Sequence, residues 1–280
     1  MNIAIFADVH GRILLAFKLC ARWQRETGET LDLILQAGDM GIFPLYSQLD
    51  SATLRYAQRD PTELGFMQHF VTYTDETAAI LAQTNCKLVF VRGNHEDHAW
   101  LDERERQAPG AIFPVDAYQR LYCLKTGAPY THTTENERIS VLGIGRIGQR
   151  SAPLSSRHIQ PEEQARLNEL GDISVDILLT HDKPAQADRG MAEISEALRQ
   201  YRPLYHCYGH VGGECLTGLS DNGITQFCKL ADLHWDGPEQ RLHPGSMAIL
   251  RWQDRATHSL NIVREPWYTE YNANNWQYIM

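Results

Sequence analysis

No apolar run in the sequence approaches the ~20 residues that a membrane-spanning helix needs, so a helical integral membrane protein is set aside. A basic leader is missing as well. Met1-Asn2-Ile3-Ala4-Ile5-Phe6-Ala7-Asp8 has no charged n-region and meets an Asp early, unlike a signal peptide. Cysteine is sparse and irregular: Cys20, Cys86, Cys123, Cys207, Cys215 and Cys228 form no CxxC pair and no regular spacing. They read as reduced thiols, several of them buried, in a cytoplasmic protein. Positive charge is the minority sign, with 26 Lys and Arg against 35 Asp and Glu and a formal net charge of -9. That balance argues against a protein that coats nucleic acid. There is no internal repeat and no low-complexity tract.

What is present is ordinary for a globular chain. Over 280 residues, 43% are hydrophobic and 22% charged, enough for a core of normal size. Asn2 to Ala7 is a short apolar strand, followed by a helix over Ile13 to Arg25 that Gly28 closes. Leu31 to Gln36 is a second strand, near-continuously apolar as in a sheet covered on both faces. Ile42 to Tyr73 is an excursion between strands, read as a cap or an interaction surface, with one short helix around Tyr46 to Tyr56. Glu76 to Thr84 is a helix leading into the strand Lys87 to Val91. Asp102-Glu103-Arg104-Glu105-Arg106 reads as a solvated helix of mixed charge. Strands follow at Leu121 to Leu124, Ile139 to Gly143, Val175 to Leu179 and Leu204 to Tyr208, with helices at Pro161 to Leu170 and Gly190 to Tyr201. Ile224 to Lys229, Met247 to Trp252 and Asn261 to Val263 close the sheets. The repeated strand–helix–strand order favours parallel pairing. The boundaries drawn are one domain over 1–263 and an aromatic tail over 264–280 that packs back on the body.

Five of these strands end in residues with lone pairs to offer. Asp8 and His10 stand two apart, on the same side of an extended chain. Asp39 follows Gly38, and Asn94 and His95 follow Gly93. His181 follows Thr180, and His210 follows Gly209. A single Asp or His beyond a strand is usually a cap or a core hydrogen-bonder. Five in series place a ligand set at the carboxyl ends of strands, where open α/β sheets hold their ligands. Oxygen donors mixed with imidazoles suit Mn, Fe, Zn or Ni better than Ca, and the absence of Cys from the set argues against structural zinc. Gly143-Ile144-Gly145-Arg146 is a further strand end that would bring Arg146 to the site.

Asp8-x-His10, Gly38-Asp39, Gly93-Asn94-His95-Glu96, His181 and Gly209-His210 closely resemble, in order and spacing, the five blocks of the calcineurin-like metallophosphoesterases, over roughly residues 1 to 250. The resemblance implies an α/β fold, a four-layer α/β/β/α sandwich of two mixed sheets packed face to face with helices outside. It implies two divalent cations (Mn, Fe, Ni or Zn) sharing Asp39. Asp8 and His10 would hold the first, and Asn94, His181 and His210 the second. His95 would be the catalytic residue facing the phosphate or the leaving group. The substrate would be a phosphomonoester or phosphodiester, nucleotides and nucleic acids included, hydrolysed by metal-activated water. Gly93-Asn94-His95-Glu96 together with His181-Asp182-x-Pro184 also resembles the subset that includes RNA lariat debranching enzymes.

One block departs from the pattern. The family's Gly-His-x-His is here Gly209-His210-Val211-Gly212, so the second His, a ligand of the first cation, is missing. His206, Glu214 and Cys215 are close in sequence, and none has the right spacing. Gly213 follows, which leaves the backbone free to shift, so the first site is expected to be the weaker. The departure also feeds a second reading, a non-catalytic scaffold of the same fold that recruits a partner.

Overall fold

The computed structural model describes residues 1–149, 153–187, 189–242 and 244–279. In chain order the main strands are β1 (Asn2–Phe6), β2 (Leu33–Gln36), β3 (Lys87–Phe90), β4 (Ile112–Pro114), β5 (Leu121–Leu124), β6 (Tyr130–Thr133), β7 (Arg138–Ile144), β8 (Ile177–Thr180), β9 (Tyr205–Tyr208), β10 (Leu216–Leu219) and β11 (Gln226–Lys229). A two-stranded ribbon, β12 (Trp235–Asp236) and β13 (Arg241–Leu242), precedes β14 (Met247–Trp252) and β15 (His258–Ile262). One sheet runs β15-β14-β1-β2-β3-β5-β4 and the other β10-β11-β9-β8-β7-β6. Both are mixed: β1, β2, β3 and β5 are parallel, as are β7, β8, β9 and β11, while the flanking strands pair antiparallel.

Strand alternation builds the layers. Ile3, Ile5, Leu33, Leu35 and Val89 face the second sheet and meet Val141, Ile177, Leu179 and Cys207 in a shared core. Ala4, Phe6, Ile34, Leu88 and Phe90 face the other way, onto Phe17, Cys20 and Trp23 of helix α1 (Ile13–Thr27). Behind the second sheet, Leu142, Ile144 and Leu178 pack on Ile194, Ala197 and Leu198 of the helix Ala192–Tyr201. The result is helix, sheet, sheet, helix, the four-layer arrangement that the sequence resemblance implies. Among the described residues no helix is long and apolar enough to cross a membrane.

Two regions bear on the site. Between β2 and β3 the chain forms a 3₁₀ turn (Tyr46–Gln48), α2 (Ser51–Ala57), a second 3₁₀ turn (Pro61–Leu64), α3 (Gly65–His69) and α4 (Asp75–Leu81). The buried Arg12 ties this excursion to the loop after β1, pairing with Asp60 at 2.5 Å and Glu63 at 3.1 Å. The second region is α5 (His98–Gln107), where the expectation of a simple solvated face needs correcting. Glu103 and Arg106 do face solvent. Asp102 and Glu105, however, ion-pair with the buried Arg92, and Asp102 also with the buried Arg146. Arg146 in turn meets Glu163 of α6 (Pro161–Glu169) at 3.0 Å. Arg146 therefore points away from the ligand cluster and joins α5 to α6. In the tail, Trp267, Tyr268, Tyr271 and Trp276 are buried against α1, and the Lys18 ammonium donates to the carbonyls of Trp276, Gln277 and Ile279.

Candidate metal centre

The loops beyond β1 and β2 lie against each other. The Asp8 amide donates to the Gly38 carbonyl at 3.0 Å and the His10 amide to the Asp39 carbonyl at 2.9 Å. Asp8, His10, Asp39 and His210 all hold positive φ (47°, 41°, 54° and 68°), a left-handed conformation that non-glycine residues avoid. Each such residue costs of order 1–3 kcal/mol and persists where its surroundings enforce it. Here the enforcement is visible: the His210 amide donates to both Asp8 oxygens, at 3.2 and 3.0 Å. The neighbouring glycines are required by close approach. A Cβ at Gly93 would lie 2.0 Å from Asp39 Oδ1, and one at Gly209 would lie 1.9 Å from Asp8 Oδ2.

The ligand atoms fall into two groups. Asp8, His10 and Asp39 form one, and Asp39, His181 and His210 the other, with the atoms of each group within 4.8 Å of one another. Asp39 belongs to both. Asn94 joins the second group, its Oδ1 lying 3.1 Å from His181 Nε2. His181 Nδ1 is 2.9 Å from the Ala37 carbonyl, which can only accept, so Nδ1 carries the proton. In the neutral ring, Nε2 then presents a lone pair toward Asn94 Oδ1 and, at 3.3 Å, toward Asp39 Oδ1. Three convergent lone pairs repel unless a positive charge sits among them. The donor set of two carboxylates, three imidazoles and an amide oxygen fits a pair of first-row divalent cations, and the orienting bond on the far side of His181 is the usual outer partner of such a ligand.

The electrostatics agree. Burial drives the Asp8 carboxyl up to about 8. Burial opposes charge at His181 too, but Asp39 outweighs it and lifts the imidazole to about 10, so the carboxylates draw in a proton as counter-charge. Asp39 is also penalised by burial, yet the charges and hydrogen bond of its histidine neighbours hold it well below the usual carboxylate range. His10 is pushed down to about 4 by burial.

His95 stands at the edge of this cluster, its ring centroid 5.6 Å from that of His10 and its amide donating to Asp39 Oδ1 at 2.8 Å. Its Nδ1 donates to Asp50 Oδ2 at 2.7 Å. Burial lowers the His95 pKa, but the Asp50 hydrogen bond and the Asp39 charge prevail and raise it to about 9. The sequence did not single out Asp50. It is the N-cap of α2, accepting from the Ala52 and Thr53 amides at 2.8 Å. Two more acids were not read as site residues. Glu96 accepts from the amides of Met40 and Ile42 at 2.8 and 2.7 Å, fixing the loop that carries Asp39. Glu63 places Oε2 4.0 Å from His10 Nδ1.

The loop after β9 differs from expectation. Lys229, itself buried, donates to the carbonyls of Gly212, Gly213 and Glu214, so this backbone is held rather than free to shift. His206 bonds Thr180 at 2.8 Å and lines a cavity of about 720 Å³ with Lys183, Tyr208 and Phe227, on the outer face of the second sheet.

A search of curated proteins finds no match. Among solved structures, the protein TT1561 of Thermus thermophilus is similar at 17% identity and TM-score 0.51, covering 94% of this chain and 99% of that one. That likeness supports the fold. An archaeal phosphodiesterase (8% identity, TM-score 0.39, 94% of this chain and 100% of that one) is more remote. So is the Zn²⁺ complex of Vps29 from Entamoeba histolytica (10% identity, TM-score 0.34, 94% of this chain and 98% of that one). The family model described as calcineurin-like phosphoesterase matches residues 1–213. With that match over most of the chain, and the blocks converging as described, the chain belongs to the calcineurin-like phosphoesterase family.

Proposed function

We propose that the protein is a metal-dependent phosphoesterase that hydrolyses a phosphomonoester or phosphodiester with water as the nucleophile. The observation that carries this reading is the double membership of Asp39 in two ligand groups, with an Asp50-backed His95 beside them. Asp8, His10 and Asp39 would hold one cation, and Asp39, Asn94, His181 and His210 the other. When bound, a cation pair polarises the phosphoryl oxygens and water and offsets charge during in-line displacement.

The chain's own groups do the rest. Asp50 keeps the proton on His95 Nδ1 and holds the ring in one orientation. The Asp50 carboxylate favours the protonated imidazole, and from that form Nε2 would deliver a proton to the departing ester oxygen. Glu96 holds the Asp39 loop still through two amides, so the shared carboxylate is set in advance.

The test is a parallel assay of purified protein on a generic aryl phosphate monoester and diester, with Mn²⁺ added and then removed by chelation. Hydrolysis that appears with Mn²⁺ and is lost on chelation is the expected result. Tight Mn²⁺ uptake with no hydrolysis of either ester would instead favour the scaffold reading.

A further inference from the structure

The missing imidazole at Gly212 leaves the first cation with three protein ligands, one of them shared. Gly212 has φ 61° and no atom within 4 Å of where its Cβ would stand, so this position looks into open space. Lys229 fixes it there. Position 212 therefore does not supply the missing ligand.

A different strand end reaches the same place. β11 is parallel to β9 and ends at Lys229, and the chain then passes along the edge of the cluster. The Leu230 amide donates to the Tyr208 carbonyl at 2.9 Å, the Ala231 amide to Gly245 at 3.0 Å, and the Leu233 amide to the Asp8 carbonyl at 3.1 Å. Asp232 lies between these anchors, one residue from a direct bond to the Asp8 backbone. Its Oδ1 is buried and has no hydrogen-bond partner. A buried carboxylate oxygen without a partner is costly, the more so beside other acids. The charge of Asp232 is felt at Asp8, and that of Asp39 at Asp232.

We propose that the Asp232 carboxylate replaces the absent imidazole as the fourth protein contact to the first cation, beside Asp8, His10 and Asp39. The assignment rests on the two-cation reading above. A cation supplies what Oδ1 lacks and offsets the mutual repulsion of the three acids. Asp232 is not in the Asp8, His10 and Asp39 group of atoms within 4.8 Å of one another, so the proposed contact requires its side chain to turn toward them. An oxygen in place of a nitrogen makes the site harder, which favours Mn²⁺ over Zn²⁺ there.

Equilibrium dialysis of the full chain against Mn²⁺ tests this, with Asp232→Asn and Asp232→Ala beside the unmodified protein and thermal unfolding of each cation-free form as a second readout. Two Mn²⁺ per unmodified chain are expected. In both variants one binding step weakens at least tenfold while the other is unchanged, and the cation-free variants unfold at the same temperature as the parent or higher, because repulsion among the acids is relieved. A purely structural Asp232 would lower that temperature. Two-step binding that both variants leave unchanged, or variants whose cation-free forms unfold earlier, would overturn the assignment alone. An unmodified chain that binds one Mn²⁺ or none would overturn the two-cation reading beneath it.

Discussion

At the scale of single residues the centre depends on side chains held where they would not sit unaided. His95 is held by Asp50 through its ring and by Asp39 through its amide. It contributes no atom to either ligand group, so His95→Ala should keep its cations and lose turnover, by roughly 10²–10⁴ in kcat for a proton donor. Asp50→Asn isolates the charge behind it. The amide can still cap α2, so stability should hold, while kcat falls roughly ten- to hundredfold, as when an imidazole loses its orienting partner. Steady-state rates alongside metal analysis check both, and loss of metal from His95→Ala would contradict its role as a proton donor outside the ligand set. Gly93 is constrained by space. With 2.0 Å between its imagined Cβ and Asp39 Oδ1, and 2.1 Å to the Asp39 amide nitrogen, Gly93→Ala must displace the shared ligand. Cation uptake measured by dialysis should collapse in a chain whose circular dichroism remains that of the parent; unchanged uptake would mean the loop yields at little cost.

Elements explain what could be read in the sequence. The parallel strands are apolar throughout because both faces are covered, and their ends are marked by Gly and by lone-pair donors. Asp8, His10, Asp39, Asn94, His95, His181 and His210 were therefore all visible as strand-end residues. Polar or exposed edge strands were not: β6 buries little beyond Tyr130 and β10 is exposed at every position, so neither shows a buried face to read. Asp50, Glu63 and Asp232 were missed for another reason. Each has a local explanation, as a helix cap or a loop acid, and its partner lies far away in sequence, 45 positions in the pair of Asp50 and His95. Arg146 erred the other way. A strand-end Arg resembles a site cation until α5 and α6 are seen to supply its acids. Glu163 fills two roles there, pairing with Arg146 and accepting from the Gln160 amide at 2.9 Å to close the capping box of α6. Glu163→Ala should cost about 3 kcal/mol, since it leaves a buried guanidinium short of a partner. Urea unfolding with an unchanged m-value would confirm it, and a loss nearer the ~1 kcal/mol of an ordinary cap would not.

For the whole molecule, two sheets bring loops from distant parts of the chain to one edge, and α1 with the aromatic tail braces the first sheet from behind. That arrangement makes Asp39 the point on which everything turns, because it alone belongs to both ligand groups and because the backbones of Asn94 and His95 hang on its Oδ1 at 2.7 and 2.8 Å. The most direct measurement is the Mn²⁺ content of Asp39→Asn against the unmodified protein by plasma mass spectrometry, with aryl phosphate hydrolysis measured on the same samples. Removal of a shared anion should strip both cations and abolish hydrolysis together. An Asp39→Asn protein that keeps its full complement of Mn²⁺, or that hydrolyses the ester as fast as the parent, would contradict the account.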